Sequence, residues 1–337
     1  MSARINLADN SIDALSLFKM TIPSRVSHVS AFSMLFVGIA LCQSSQPEKL
    51  QALKSPVCVL PYGQTIDFGD LPPHELALNW QGRLKGDLPV SLVSIPSTHD
   101  AGTALGRTGW TRCQVLTLPA QLGLGVRGFD VRLRVVGDEL KVYHSEESQK
   151  LTFESVMSSF NEFLKAHPKE FLVMRVREEA KALQSSLTFE AAFQMFYDSP
   201  KYSKLFYRAK SRTEIPTVQQ VRGRIVLLDN YGKLPNAIEY PNSSMSVQDD
   251  YDTSDMDQKF REIQAKFEDA LAQKSGEVWN VNYTSSSTPQ VDQLQNAMAV
   301  NAKVEQYLAH RKGHLGLVLF NFPSAAMIRW VWQSNFR

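Results

Sequence analysis

A chain of 337 residues, 43% of them hydrophobic and 21% charged, can bury one large core or two ordinary ones. The composition is globular, and a formal net charge of +2 gives no basis for nucleic-acid binding. No internal repeat or long low-complexity stretch is visible.

The first 42 residues read as a signal peptide or other targeting segment. Arg25 and His28 precede VSAFSMLFVGIALC (29–42), an apolar run of signal-peptide length that is short for spanning a bilayer. Ala40 and Cys42 are small residues at a spacing a signal peptidase accepts, and Met20 is an alternative start. A lipoprotein site at Cys42 ranks second because Leu41 is bulky, and a buried core helix is the remaining alternative. Export is therefore the expectation. Cleavage after Cys42 leaves Cys58 and Cys113, for which one disulfide and two unpaired buried thiols both stay open. Residues 43–88, rich in Pro, Gln and Ser, read as a linker and wrapping segment ahead of a domain over 89–337.

The alternation in Pro89–Ile95 predicts a first strand, punctuated by Pro96, Ser97 and Gly102. Further strands are expected at 126–136, 140–144, 171–176, 224–229, 278–283 and 315–322. Phe153, Val156, Met157, Phe160, Phe163 and Leu164 share one helix face, and 289–311 carries a Thr288-Pro289 start and a Gly313 stop. Alternating strands and helices over about 250 residues predict an α/β fold, a single distorted (β/α) TIM barrel. An open doubly wound sheet is second, since no glycine-rich nucleotide loop follows the first strand. Trp330, Trp332 and Phe336 near the C-terminus read as packing a closing helix, with a membrane interface as the alternative.

Polar residues gather at the predicted strand ends. His99 and Asp100 follow the first strand. Asp130 and Arg132, two apart, share one strand face. His144, Arg177, Asn230 and Asn321 end later strands. Each alone fits a satisfied structural group, but active-site residues of a barrel collect at the carboxyl ends of its strands. Two imidazoles can act as base and acid in one reaction, and arginine's planar fork suits a phosphate. Those are the needs of metal-free phosphodiester cleavage. Metal binding fits worse, because there is no His-x-x-x-His or clustered Cys and Arg132 stands where a cation would.

SIPSTHDAGTAL (94–105), QLGLGVRGFDVRLR (121–134), LKVYHS and FLVMRVREE resemble the X-domain core of bacterial phosphatidylinositol-specific phospholipase C. GRIVLLDNYG, SVQDDYD and VWNVNYTSSS resemble its later segments in the same order, so the likeness runs over about 90–325. The resemblance implies a secreted lyase, a distorted TIM barrel, and cleavage of phosphatidylinositol to diacylglycerol and inositol 1,2-cyclic phosphate. It implies His99 as general base, His144 as general acid, Arg132 on the phosphate, and Asp100 and Asp130 as orienting carboxylates. Arg177, Asp249 and Tyr251 fall at its inositol-ring contacts. No cofactor or metal is implied. The expected partner is phosphatidylinositol or a related inositol phospholipid, met peripherally at a membrane surface by a monomer, with no nucleic acid.

The chain also departs from that pattern. Asn321 replaces an aspartate that orients the base, Asn230 replaces a ring-contacting arginine, Arg177 replaces a lysine, and Tyr143-His144-Ser145 replaces His-His-Gly. The other readings are a catalytically silent barrel that binds inositol phospholipid head groups, and a phosphodiesterase acting on glycosyl-phosphatidylinositol anchors or another lipid.

Overall fold

The computed structural model describes residues 74–337 except 108–109, 233, 310 and 337, plus the backbone of two short antiparallel strands, β1 (Val57–Val59) and β2 (Thr65–Asp67). The targeting segment, Cys42 and most of the linker lie outside the described residues, as does the side chain of Cys58. Cys113 carries a free, buried thiol.

The first barrel strand starts later than the hydrophobic pattern suggests. Val90–Leu92 is a 3₁₀ turn after Pro89, and β3 is Ile95–Thr98. Val90 and Val93 are both fully buried. Their spacing of three is that of a 3₁₀ turn, whose side chains eclipse at i and i+3. The apolar alternation of this segment therefore belongs to a turn and not to a strand.

From there the other expected strands appear close to their predicted limits. They are β4 (Gly128–Val136), β5 (Glu139–His144), β7 (Leu172–Glu178), β8 (Ile225–Asp229), β11 (Trp279–Tyr283) and β12 (Leu317–Phe320). Three more were not foreseen: β6 (Glu147–Thr152), β9 (Ile238–Glu239) and β10 (Met245–Gln248). Eight strands pair in parallel in the order β10-β11-β12-β3-β4-β7-β8-β9. This is the chain order of a TIM barrel with one pairing missing, between β9 and β10. Residues 240–244 join those two strands, and a parallel neighbour needs a crossover of a dozen residues or more. The barrel is therefore open along one seam.

Helices α2 (Leu118–Leu124), α3 (Phe153–Ala166), α4 (Phe189–Tyr197), α5 (Val218–Val221), α6 (Met256–Ala272), α7 (Gln293–Leu308) and α8 (Ala325–Ser334) follow the strands. The six apolar residues read as one face of α3 are all buried, and Thr152 caps the helix by accepting from Ser155 N. Helix α7 begins four residues after the Thr-Pro signal. Thr288 bonds locally to Val291, and Asp292 is the residue that accepts from Gln295 N.

A short helix, α1 (His74–Leu78), closes the end of the barrel away from the site. Arg127, fully buried, ties it down by donating to the carbonyls of Ala77, Leu78, Leu122 and Val126, and pairs with Glu170 at 2.9 Å. Trp80 stacks on Trp332 of α8 at 6.5 Å, so the C-terminal aromatics pack a closing helix. Gly128 keeps β3 and β4 close: a Cβ there would stand 1.9 Å from Ser97 Oγ.

Candidate active site

Three of the predicted site residues are each followed by a residue in the left-handed region. Asp100 (φ 46°) follows His99, Ser145 (φ 51°) follows His144, and Phe322 (φ 47°) follows Asn321. Such a turn ends a strand abruptly and leaves the preceding side chain at the barrel mouth. Non-glycine residues held there carry backbone strain, and such strain clusters at functional sites. Asp100 is held by Thr103 N and Oγ1 on its carbonyl, while Ala101 N donates to the carbonyl of Asp130.

His144 arrives by a different route from the barrel-strand residues. Strand β5 runs antiparallel to β4 beyond the barrel, with Leu133 opposite Val142. Two residues further, that register returns His144 to the level of Val131, next to Arg132. The hairpin folds the second histidine back over the mouth.

The described side chains then converge. Asp130 and Arg132 share the inner face of β4 as their spacing requires. Arg132 Nε stands 2.8 Å from Asp100 Oδ1 and 3.3 Å from Asp130 Oδ2. Asp100 Oδ2 lies 3.4 Å from His99 Nε2 and 3.3 Å from His144 Nε2, between the two rings. Arg132 Nη2 donates to His99 Nε2, and His99 Nδ1 meets Asn321 Oδ1 at 2.9 Å. With Nε2 accepting, the His99 proton is on Nδ1 and is donated to Asn321.

Burial sets the two rings apart. It pushes His99 below its ordinary value, and Arg132 adds to that against the pull of Asp100. His144 is also penalised by burial, but the charge and hydrogen bond of Asp100 outweigh the penalty and hold it above its ordinary value. Burial works against the Asp100 carboxylate too, and Arg132, His99 and His144 together keep it well below the usual range. One ring is set as a neutral base and the other as a charged acid.

Arg177 stands exposed at the rim, opposite Arg132 in the β4–β7 register. Asp249 is exposed, although its charge is felt at His99 and Tyr283. Tyr251 is 42% exposed and accepts from Ser287 Oγ at 2.7 Å. Asn230 is held by Arg175, a buried residue that the sequence reading passed over. Arg175 Nη1 pairs with Asp130 Oδ1 at 2.8 Å, its Nε donates to Asn230 Oδ1, and it lies 4.8 Å over the Tyr240 ring. A guanidinium from β7, the neighbouring strand, thus stands beside Asn230 at the end of β8. Its signal was visible, since Arg175 and Arg177 are two apart and share a strand face.

Gln293, Cys113 and Glu179 were also missed. Glu179 stands 3.6 Å from Arg132 Nη1 and accepts from Ser145 N. His99, Asp100 and Cys113 place three donor atoms within 4.8 Å of one another. They make a poor metal site: Arg132 already occupies Asp100, and burial pushes the Cys113 thiol up, away from the thiolate a metal needs.

A cleft of about 600 Å³ opens beside His144, lined in part by Leu105, Arg107, Thr111 and Lys150. Exposed Leu105 and Trp110 belong to the loop that follows His99 and Asp100.

Residues 87–231 match the family model of the phosphatidylinositol-specific phospholipase C X domain. They are an X domain of that family. The match covers His99, Asp100, Asp130, Arg132 and His144. A 1-phosphatidylinositol phosphodiesterase of Listeria monocytogenes is 29% identical over 278 residues, 76% of this chain and 84% of that protein. One of Staphylococcus aureus is 27% identical over 161 residues, 46% of this chain and 51% of that protein. The structure of the Listeria monocytogenes phosphatidylinositol-specific phospholipase C superposes with a TM-score of 0.69 at 26% identity, covering 77% of this chain and 99% of that one. A Staphylococcus aureus phosphatidylinositol-specific phospholipase C variant shares the fold, with a TM-score of 0.71 at 21% identity. The X domain supplies β3 to β8, and the remaining strands, with Asn321, complete the barrel.

Proposed function

We propose that this protein is a phosphatidylinositol-specific phospholipase C of the diacylglycerol-lyase type. The observation that carries the reading is Asp100 Oδ2 lying within 3.4 Å of both imidazole Nε2 atoms, with the Arg132 guanidinium against the same carboxylate. His99 Nε2 takes the proton of the inositol 2-hydroxyl, whose oxygen attacks phosphorus. The bond from phosphorus to the diacylglycerol oxygen breaks, and that oxygen takes the proton of His144 Nε2. Arg132 holds the non-bridging oxygens, and the phosphate draws the guanidinium off His99 Nε2 and frees the base. The products are diacylglycerol and inositol 1,2-cyclic phosphate, and the two rings exchange protons with solvent before the next turn.

The relatives' names point to phosphatidylinositol, and exposed Leu105 and Trp110 near the cleft suit contact with a lipid surface. Among the described residues no helix is long and apolar enough to cross a membrane. Secretion is part of the proposal, supported by the apolar run 29–42 behind Arg25. The test is incubation of the purified protein with phosphatidylinositol vesicles, read by phosphorus NMR for a cyclic phosphate diester. No cyclic product from phosphatidylinositol, alongside turnover of a glycosyl-phosphatidylinositol anchor, would redirect the substrate assignment. No turnover of any head group, alongside vesicle binding, would leave a binding barrel.

A further inference from the structure

Gln293, the first residue of α7, is 2% exposed and touches both halves of the site. Its Oε1 accepts from Asn321 Nδ2 at 3.0 Å and from the Cys113 thiol at 2.5 Å. Its Nε2 lies 3.1 Å from His144 Nε2 and 3.4 Å from the Trp110 carbonyl. Asn321 in turn meets His99 Nδ1. Two amides in series therefore join the two histidines, through contacts buried among β3, β5, β12 and α7.

The direction of this chain is forced from one end. For His99 to offer Nε2 as a base, its Nδ1 must carry the proton and Asn321 Oδ1 must accept it. The Asn321 amide nitrogen then faces Gln293 Oε1, which leaves the Gln293 amide nitrogen facing His144. The Cys113 S–H, kept protonated by burial, holds the same orientation. His144 Nε2 consequently sits between an acceptor and a donor. Charged, it donates to Asp100. Neutral, it accepts from Gln293.

We propose that Gln293 is a positioning residue that couples the two histidines. Through Asn321 it holds His99 in the base-ready tautomer, and through its own amide it takes up His144 Nε2 once that ring has given its proton to the leaving oxygen. The proposal rests on the two-histidine reading above. The charged groups facing His144 are Asp100 from the loop after β3, Arg132 from β4 and Glu179 after β7. Those facing His99 are Asp100, Asp130, Arg132 and Asp249. None of them is on α7, so a substitution of Gln293 leaves every one in place.

The test begins with nitrogen NMR of the histidine rings in the unaltered protein. Above the titration of each ring, His99 is expected protonated on Nδ1, and neutral His144 bare at Nε2. The opposite tautomer at either ring overturns the proposal, and this reading needs neither turnover nor a variant. Phosphatidylinositol cleavage by Gln293→Met should fall about 10- to 100-fold in kcat with KM within about twofold, since a wrong tautomer costs up to about 10⁴-fold where it has been measured. The alkaline limb of its pH profile should move to higher pH, because the donor to the neutral ring is gone. Gln293→Glu should move that limb further, by about one unit or more, because a carboxylate favours the charged ring. In the Asn321→Asp background the kcat loss from Gln293→Met should shrink to under about threefold, because a carboxylate cannot present a donor to His99. Wild-type limbs and tautomers in both variants, or full additivity with Asn321→Asp, overturn the coupling. An unaltered protein that releases no cyclic phosphate refutes the functional reading, while the ring tautomers still decide the relay.

Discussion

His99 and His144 flank one carboxylate, Asp100, and are pushed in opposite directions, His99 down by burial and His144 up by Asp100 itself. Replacing either by alanine should lower turnover about 10²- to 10⁴-fold, the usual contribution of a positioned acid or base, with unfolding midpoints near wild type. Normal turnover in either variant removes the two-histidine scheme. The base works above its lowered pKa and the acid below its raised one, so kcat/KM should be bell-shaped with limbs on opposite sides of the ordinary histidine value of 6.5. Asn321→Asp should raise the His99 pKa and stabilise the imidazolium that forms during reaction. The expected gain in turnover is roughly threefold to a hundredfold, about 0.7–2.7 kcal/mol of barrier, with the acid limb displaced upward. An unchanged rate and profile would mean the amide does no more than fill space. At Ser145 the φ of 51° favours glycine, which is the residue the family resemblance implies there. Ser145→Gly should therefore raise stability by about 0.5–1 kcal/mol in urea unfolding, with activity retained. A loss of stability would show that the hydroxyl matters more than the backbone.

At the scale of elements, one device builds the mouth and another shuts the bottom. The β5–β6 hairpin carries His144 back over the barrel, and Glu179 anchors its turn through Ser145 N. At the opposite end, α1 is held by Arg127, whose pairing with Glu170 is fully buried. Burial drives Arg127 down and Glu170 up, so desolvation opposes the pair, and its worth shows only when one member is removed. Arg127→Met strands a buried carboxylate and frees four carbonyls. It should cost about 3–5 kcal/mol in urea unfolding, with kcat of the folded fraction near wild type because the site lies at the other end. A cost under about 1 kcal/mol would mean that α1 is held by Trp80 and Trp332 instead.

For the molecule as a whole, eight parallel strands supply residues to a single face, and one cation there is a guanidinium. Arg132 contacts Asp100, Asp130 and Glu179, so a guanidinium already supplies the cation among these carboxylates. Turnover should therefore be unchanged in chelator. Loss in EDTA with recovery in calcium would contradict the assignment of Arg132. The open seam between β9 and β10 follows from the short connection over 240–244, and Tyr240 and Tyr283 bridge near it by a hydroxyl–hydroxyl bond of 3.0 Å. Lys259 of α6, buried and pushed down to about 8, donates to the Asp250 carbonyl and Gln248 Oε1 beside the same seam, and so holds the strand end that leads to Asp249 and Tyr251.

The sequence by itself determined the parallel-strand architecture, because long apolar runs alternating with a helix stripe such as Phe153–Leu164 admit few other arrangements. It also placed Asp130 and Arg132 together, since residues two apart share a strand face, while the strand that delivers His99 and Asp100 lies later than the apolar alternation suggests. Local periodicity carries that information. What it could not carry are features set by groups distant in the chain. Val90–Leu92 is a turn that bonds distant residues, Val90 N donating to the Pro216 carbonyl and Ser91 Oγ to the Gly276 carbonyl. Arg175 rather than Asn230 supplies a guanidinium because β7 and β8 are neighbours. Gln293 enters the site only because α7 begins where β3, β5 and β12 meet, 149 residues beyond His144 along the chain. Buried polar groups must find partners wherever the fold provides them, and only the tertiary structure says which residues those are.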